Sequence, residues 1–481
     1  MFLLLQISCM LLVAVLAKTA LAQPALPVTA IIGAHVLPMA GDTKLKDQTV
    51  LISGDRIVEV GPRRSVRIPP GARRIEAAGM TLMPGLVDMH VHLAPVPGAA
   101  GDAAQRALAV MLAHGITTAR GMAGSPANLA VRDAIEQGRL AGPRFYAAAP
   151  GINVQNTQSA EQARTAVRHA KQAGYDLIKS HHIVDVAIWD AVREEATKQG
   201  LPTAGHVANQ VGLARAMAAG QQIEHLDGFL LELLPADSPL RSADFAQIPP
   251  PPVMQAAAEA GDARIAALAA QAAGARSYQV PTLALFEGIV DIGSPTEELL
   301  DHPDMRYVPD AALQQWAAQR GELQKAGFTP ADGDRFRDIR RRIVAALHEA
   351  GVPIMTGSDT AQAFHIWGPG LIREMRALGR AGLSPMEALR SATVVPRDYF
   401  RSLPNGGSSR GWKADFGTVT EGARADLILL RNDPSANLAA LVRPEAVIAG
   451  GRVYDRPALD AMLKKAAADA KLPPPVQETP K

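Results

Sequence analysis

The sequence is short of cysteine, of aromatic side chains and of charge of either sign in excess. Each shortage excludes a class of protein. A single cysteine, Cys9, stands in 481 residues, inside an N-terminal apolar run. If that run is removed the chain has no thiol, and disulfides, cysteine nucleophiles and cysteine metal ligands are all excluded. Aromatic residues make up 4%, which argues against a carbohydrate-binding or base-stacking surface. Lys plus Arg number 49 against 47 Asp plus Glu, a formal charge of +2, so neither nucleic acid nor an anionic membrane is indicated as a partner. What is present is ordinary: 48% hydrophobic and 20% charged residues. That composition excludes a collagen-like or mainly disordered chain and is enough for a large core.

The opening stretch, MFLLLQISCMLLVAVLAKTALAQ, is broken by Gln6, Ser8 and Lys18 and is short for a bilayer span. Ala20-Leu21-Ala22 before Gln23 has the A-x-A form of a cleavage site. Residues 1–22 are therefore expected to be a signal peptide, and the mature protein to be secreted, in the periplasm, with no membrane contact after cleavage. Past residue 27 the text reads as short strands, VTAIIGAHVLPMAG and TVLISGDRIVEVGP, and the same character returns in FGTVTEGARADLILL and AVIAGGRVYD. Residues 27–82 and 408–460 are expected to pair as one small β domain. Between them, over 83–407, short apolar runs alternate with Ala-rich helical stretches, the signature of βα units and a parallel sheet. Eight such units make a barrel, and this length suits one with insertions. Residues 288–335 read as polar and irregular. Over 336–350, Phe336, Ile339, Ile343 and Leu347 form one stripe, which places Arg340-Arg341-Arg342 on a solvated helix face. Residues 461–481 are expected to be a flexible tail.

The chemistry begins at GLVDMHVHLAP. Side chains alternate along a strand, so His90 and His92 point the same way and can share a metal ion. Alone, H-x-H is as well explained by two partly buried polar residues. It has company: Lys179 ends LIKS, His206 ends PTAGH, His225 ends QQIEH, and Asp359 ends PIMTGSD. Each sits where an apolar strand meets its following loop, the face on which barrels carry their chemistry. The separations, 27 residues from Lys179 to His206 and 19 from His206 to His225, each fit one βα step. The six residues thus map to strands 1, 4, 5, 6 and 8. Of His181 and His182, which follow the Lys179 strand, one is a candidate to face the substrate, and His365 is a further candidate. His35, His169, His302 and His348 read as structural or solvated, His114 as a helix-end residue and Tyr175 as packing.

With PGLVDMHVH, GTVTEGARADLILLRNDP and IAGGRVYD together, the chain resembles binuclear members of the amidohydrolase superfamily from about residue 30 to 460. GHVANQVGLARAMAAGQQIEHLDG is similar to the imidazolonepropionase-like and prolidase-like branch. The resemblance implies a (β/α)8 barrel beside a small β-sandwich built from both chain ends. It implies that His90, His92 and Asp359 hold one divalent ion, usually zinc, and His206 and His225 a second. Lys179, as the carbamate formed with carbon dioxide, would bridge them. The residue types agree: zinc takes imidazole nitrogen and carboxylate oxygen, and a lysine near two dications is favoured as its amine. Two ions would acidify a bridging water and polarise a carbonyl, and Asp359 could move the proton to a leaving amine. The expected activity is hydrolysis of a C–N bond in a small amide, a dipeptide or N-acyl amino acid. A cyclic amide, lactone or ester is the alternative with the same site, and a non-enzymatic scaffold the alternative of another class. Imidazolonepropionase itself is disfavoured, since such enzymes resemble a one-metal arrangement. Thr118-Ala119-Arg120-Gly121-Met122 lacks the acidic residue many relatives carry after the strand-2 arginine, and GPGLIREM has Ile372 near a common histidine position but keeps Glu374. The partner is a small-molecule substrate, and a homo-oligomer is compatible with the sequence.

Overall fold

Stretches rich in Val, Ile and Leu form the first strands of the computed structural model, which describes residues 27–41, 43–93, 103–243, 245 and 248–472. The proposed signal peptide, Cys9 and much of the loop after His92 lie outside the described residues. β1 (Val28–Val36), β2 (Leu45–Ser53) and β3 (Arg56–Pro62) run antiparallel, with β4 (Arg73–Glu76) and β5 (Thr81–Pro84) parallel to β1. The β2–β3 hairpin turns on Gly54-Asp55, with Gly54 at φ +58°, the left-handed conformation that a two-residue loop demands. β5 leads through Gly85 directly into the first of the buried parallel strands.

Those strands are β6 (Leu86–Val91), β7 (Ile116–Gly121) and β8 (Arg144–Ala147), paired in that order, and β9 (Ile178–Ser180), β10 (Thr203–Gly205), β11 (Gln222–Glu224) and β12 (Gln279–Val280), paired likewise. Parallel bridges join the two sets. Ala148 pairs with Leu177 and Ile152 with Ser180 at one junction. At the other, the segment 354–360 links Ile354 to Gln279 and Thr360 to Val91. Its backbone bonds are sound: Met355 N donates to Gln279 O at 2.8 Å, Asp359 N to His90 O at 2.7 Å and His92 N to Thr360 O at 2.7 Å. The circuit of parallel pairings returns to β6. Glycine permits the closest approaches: a Cβ on Gly357 would stand 2.5 Å from Val280 Cγ1 and 3.0 Å from the His90 Cβ.

Helices cross between the strands and are capped by their own sequence. Ser159 accepts from Gln162 N to start Ala160–Ala173, and Asp185 accepts from Ile188 N to start Val186–Gln199. Gly174 and Gly200, both left-handed, end them. β13 (Leu427–Leu430), β14 (Ala446–Ala449) and β15 (Arg452–Asp455) then return to β5, so the two chain ends form one eight-stranded sheet in the order β15-β14-β13-β5-β1-β2-β3, with β4 beside β1. The architecture is mixed α/β, with the shared terminal sheet that the sequence led us to expect. Among the described residues no helix is long and apolar enough to cross a membrane.

Three local expectations are corrected. Residues 461–470 belong to the helix Arg456–Ala470, not to a flexible tail: Asp455 caps it by accepting from Ala458 N, and Leu459, Ala466 and Ala470 are buried, in part against the helix Ala103–Ala113. Residues 288–335 are not irregular. They carry Thr296–Leu300 and Asp310–Lys325, whose polar text hid an inner face of Ala312, Leu313 and Trp316. Finally, Arg340 is buried rather than solvated, although Phe336, Ile339, Ile343 and Leu347 do face the core, on the helix Pro330–Glu349. Leu459 tests the terminal helix. Leu459→Ala should cost roughly 2–5 kcal/mol, read as a lower urea midpoint. An unchanged midpoint would show that this helix does not share the main core.

Candidate metal centre

The six residues expected at the site lie at five places around the parallel circuit, at or near the C-terminal ends of its strands. His90 lies within β6 and His92 just after it, Lys179 within β9, His206 after β10, His225 after β11, and Asp359 in the segment 354–360. The H-x-H alternation holds: the His90 and His92 rings lie 5.1 Å apart. His92 Nε2 is 2.8 Å from Asp359 Oδ1, and His90 Nε2 is 3.4 Å from the same oxygen. His225 packs 4.9 Å from His90 and 4.7 Å from His206, ring to ring, with its Nδ1 3.7 Å from Asp359 Oδ2. All but His92 are buried, and 27% of the His92 side chain is exposed.

Two sets of potential ligand atoms cluster among the described residues: His90, His92 and Asp359, and His90, Glu224 and His225. Glu224 was not anticipated. A regular strand would turn Glu224 and His225 to opposite faces, but His225 adopts φ +61° and leaves the strand, which brings both to one place. Glu224 Oε2 is 2.8 Å from His90 Nδ1, and Glu224 Oε1 accepts from Arg120 at 2.5 Å. Arg120 also donates to Met89 O and Gln222. The carboxylate partner of the strand-2 arginine is thus supplied from β11, not from the residues following Arg120. Other supports were also missed. Asp88 accepts from His90 N, Ser358 N and Ser358 Oγ, and Asp227 Oδ2 lies 2.8 Å from His206 Nδ1.

Burial sets the protonation states. It pushes His90 and His225 well below the usual imidazole range, with neighbouring cations adding to the effect. It also lowers the Lys179 ammonium, against the opposing pull of Glu224, Asp359 and Asp227. Burial alone would raise Asp359, but His90, His92 and Lys179 overcome that and hold it ionised. The result is neutral imidazoles at His90 and His225 beside an anionic carboxylate at Asp359, donors of the kind a divalent ion binds. Two buried atoms here, His90 Nε2 and Lys179 Nζ, have no hydrogen-bond partner. Orphaned polar atoms at such depth are costly unless another group completes them, and the residues present fit a metal site.

The remaining candidates lie around this cluster. The residue His181 is exposed overall, but its ring lies edge-on to His206 at 5.1 Å, and partial desolvation of the ring, with His206 beside it, lowers the imidazole to about 4. His182 is half-buried at φ +56°. His365 lies in the loop after Asp359 and is buried, which lowers its imidazole to about 3. Outside the centre, His114 bonds Val110 O at 2.8 Å at its helix end, and Tyr175 packs in the core.

The sequence profile of the amidohydrolase family matches residues 81–454. The chain belongs to the amidohydrolase family. It is 24% identical over 477 residues to the ochratoxinase of Aspergillus niger, covering 90% of this chain and 88% of that one. It is 25% identical over 441 residues to the imidazolonepropionase of Salinispora arenicola, covering 84% and 91%. The crystal structure of a Xaa-Pro dipeptidase with bound methionine superimposes with a TM-score of 0.61 at 20% identity, covering 89% of this chain and all of that one. With its His/Glu/Asp cluster, this amidohydrolase is a hydrolase, and the scaffold alternative is set aside.

In this amidohydrolase the Arg120–Glu224 pair is testable apart from turnover. Arg120→Met leaves the Glu224 carboxyl buried without its cation and should cost about 3–5 kcal/mol in chemical unfolding. In a cycle with Glu224→Gln and the double variant, a coupling above about 1 kcal/mol is expected. Additive losses would mean that the two groups are energetically separate.

Proposed function

We propose that this protein is a binuclear metal-dependent amidohydrolase, exported to the periplasm after cleavage beyond Ala22, that hydrolyses the C–N bond of a small amide such as a dipeptide or N-acyl amino acid. The observation that carries the reading is the cluster of His90, His92 and Asp359, with a buried, unpartnered Lys179 Nζ whose charge acts on Asp359. The closed circuit of parallel strands supports a (β/α)8 barrel, and the placing of the cluster at the strands' C-terminal ends agrees with that fold. His90, His92 and Asp359 would hold one ion and His206 and His225 the other, with Lys179 as a carbamate between them.

Zinc or a similar ion bound there supplies Lewis acidity toward a carbonyl and toward water. The protein's own groups do the rest. Asp359 Oδ1 is engaged by His92, which leaves Oδ2 to accept a proton from the attacking water and pass it to the leaving nitrogen. Glu224, fixed by Arg120, orients the His90 ring through Nδ1. His181, exposed beside His206, is placed to meet the substrate. Dipeptides are favoured because a structural relative is named a Xaa-Pro dipeptidase. A library of dipeptides, acyl amino acids, lactones and esters separates these substrates, and turnover of lactones or esters alone would overturn the amide reading.

Purified mature protein should carry close to two zinc-like ions per chain by elemental analysis. A replete preparation that saturates at one ion shows the binuclear assignment to be wrong. Lys179→Ala should lose a metal ligand and at least about a hundredfold in activity. Acetate or propionate at high concentration should restore part of it by taking the place of the carbamate. Recovery with an alkylamine instead would make Lys179 a cation or base, and unchanged activity would remove it from the site. Circular dichroism and thermal melting must show that the variant folds.

A further inference from the structure

Three residues outside the expected ligand set brace His225: Thr282 touches its ring, Arg340 binds its backbone carbonyl, and Glu374 holds the residues that follow Thr282. Arg340, 3% exposed on the helix Pro330–Glu349, forms no ion pair among the described residues. Its two terminal nitrogens donate to His225 O and to Pro281 O, each at 2.7 Å, so one guanidinium ties together the chain ends just past β11 and β12. The guanidinium lies over the rings of Phe286 and Phe336, 4.5 and 5.1 Å from their centroids. Asp227, Glu374 and Glu287 attract it from beyond ion-pair distance, and its short hydrogen bonds go to the backbone. That backbone needs them: His225 at φ +61° and Thr282 at φ +48° both adopt the left-handed conformation that side-chain-bearing residues rarely take.

Thr282 adds a second restraint. Its Oγ1 donates to Pro281 O at 2.8 Å and lies 2.8 Å from His225 Nδ1. When the hydroxyl donates to that carbonyl, Oγ1 accepts from the ring, so Nδ1 carries the hydrogen and Nε2 keeps its lone pair. Glu374 adds the third. Its carboxyl, wholly buried, accepts from Leu283 N at 2.9 Å and Ala284 N at 2.6 Å and so pins the two residues that follow Thr282.

We propose that Arg340, Thr282 and Glu374 form one clamp that fixes the ring orientation of His225 and its Nδ1–H tautomer, presenting Nε2 as a ligand. Arg340 and Glu374 are positioning residues. The clamp rests on the reading of His225 as a metal ligand for its purpose, but its geometry can be tested without metal.

The test uses the full-length mature chain, parent and variants Thr282→Val, Thr282→Ser and Arg340→Met, with 15N-labelled histidine. The His225 signals are assigned by their loss in His225→Asn. In metal-free parent protein His225 should appear as the Nδ1–H form. Thr282→Val should release it toward the other tautomer, and Thr282→Ser, which keeps the hydroxyl, should preserve it. In zinc titrations against a chromophoric chelator, Thr282→Val and Arg340→Met should bind one ion about 10–100-fold more weakly, with the other ion and the Ser variant unchanged. If the parent binds no zinc, the metal reading fails while the tautomer comparison still decides the clamp. A folded Thr282→Val whose His225 tautomer matches the parent overturns the clamp, whatever the zinc result. If Arg340→Met does not fold, the Val–Ser pair alone decides.

Discussion

Burial at the strand ends is the constraint on which the rest of this structure depends. His90, His225, Asp359 and Glu224 are removed from water close to one another, and the buried Lys179 feels the charge of Glu224 and Asp359. Inside a low-dielectric interior an ionised group without a partner is expensive, so each must be neutral, paired or completed by something added. The protein uses all three solutions. The imidazoles are kept neutral, Glu224 is paired with Arg120, and Asp359 is held as an anion by the nitrogens around it. The His90 Nε2 and Lys179 Nζ atoms are left without hydrogen-bond partners, which fits a site completed by an added group.

The outer frame serves the same end. The terminal sheet delivers β5 through Gly85 into β6, so both ends of the chain bear on the strand that carries His90. Gly85 N donates to Asp426 O at 2.8 Å, and a Cβ on Gly115 would stand 2.8 Å from Ile428 Cγ2, so that sheet is seated tightly against the first two parallel strands. A disturbance of the terminal strands would therefore reach the ligand-bearing strand through backbone, not through flexible side chains.

What could be read in the sequence followed from regular periodicity. The H-x-H pair obeys the strand period of two, the alternation of apolar runs with Ala-rich stretches marks the parallel strands, and the similar text at both ends foretells their common sheet. What could not be read followed from broken periodicity or from contacts between distant residues. Glu224 was invisible as a site residue because His225 leaves the strand at a positive φ, which no residue other than glycine advertises in a sequence. Arg340 was misread because an Arg-Arg-Arg run on an amphipathic helix looks solvated. Arg341 and Arg342 do pair near the surface with Glu287 and Asp262, and only the tertiary position of Arg340 distinguishes it from them. The helix Asp310–Lys325 was hidden by its many polar residues, although its few apolar positions are the ones that are buried.

Arg340 also changes how the segment between β12 and the last strand-like segment should be understood. Insertions in barrels are ordinarily loops that shape substrate access while the strands hold the chemistry. Here the helix that ends this segment reaches back under the strand ends and binds the carbonyls beside two left-handed residues. Strain of that kind persists only where the surroundings over-determine it. The helix Pro330–Glu349 is therefore part of the framework of the centre, and its apolar stripe of Phe336, Ile339, Ile343 and Leu347 does more than fill a core. By fixing the helix against its neighbours it fixes where Arg340 stands, and through Arg340 where the chain turns at His225. Packing far from the centre is in this way converted into geometry at a single imidazole.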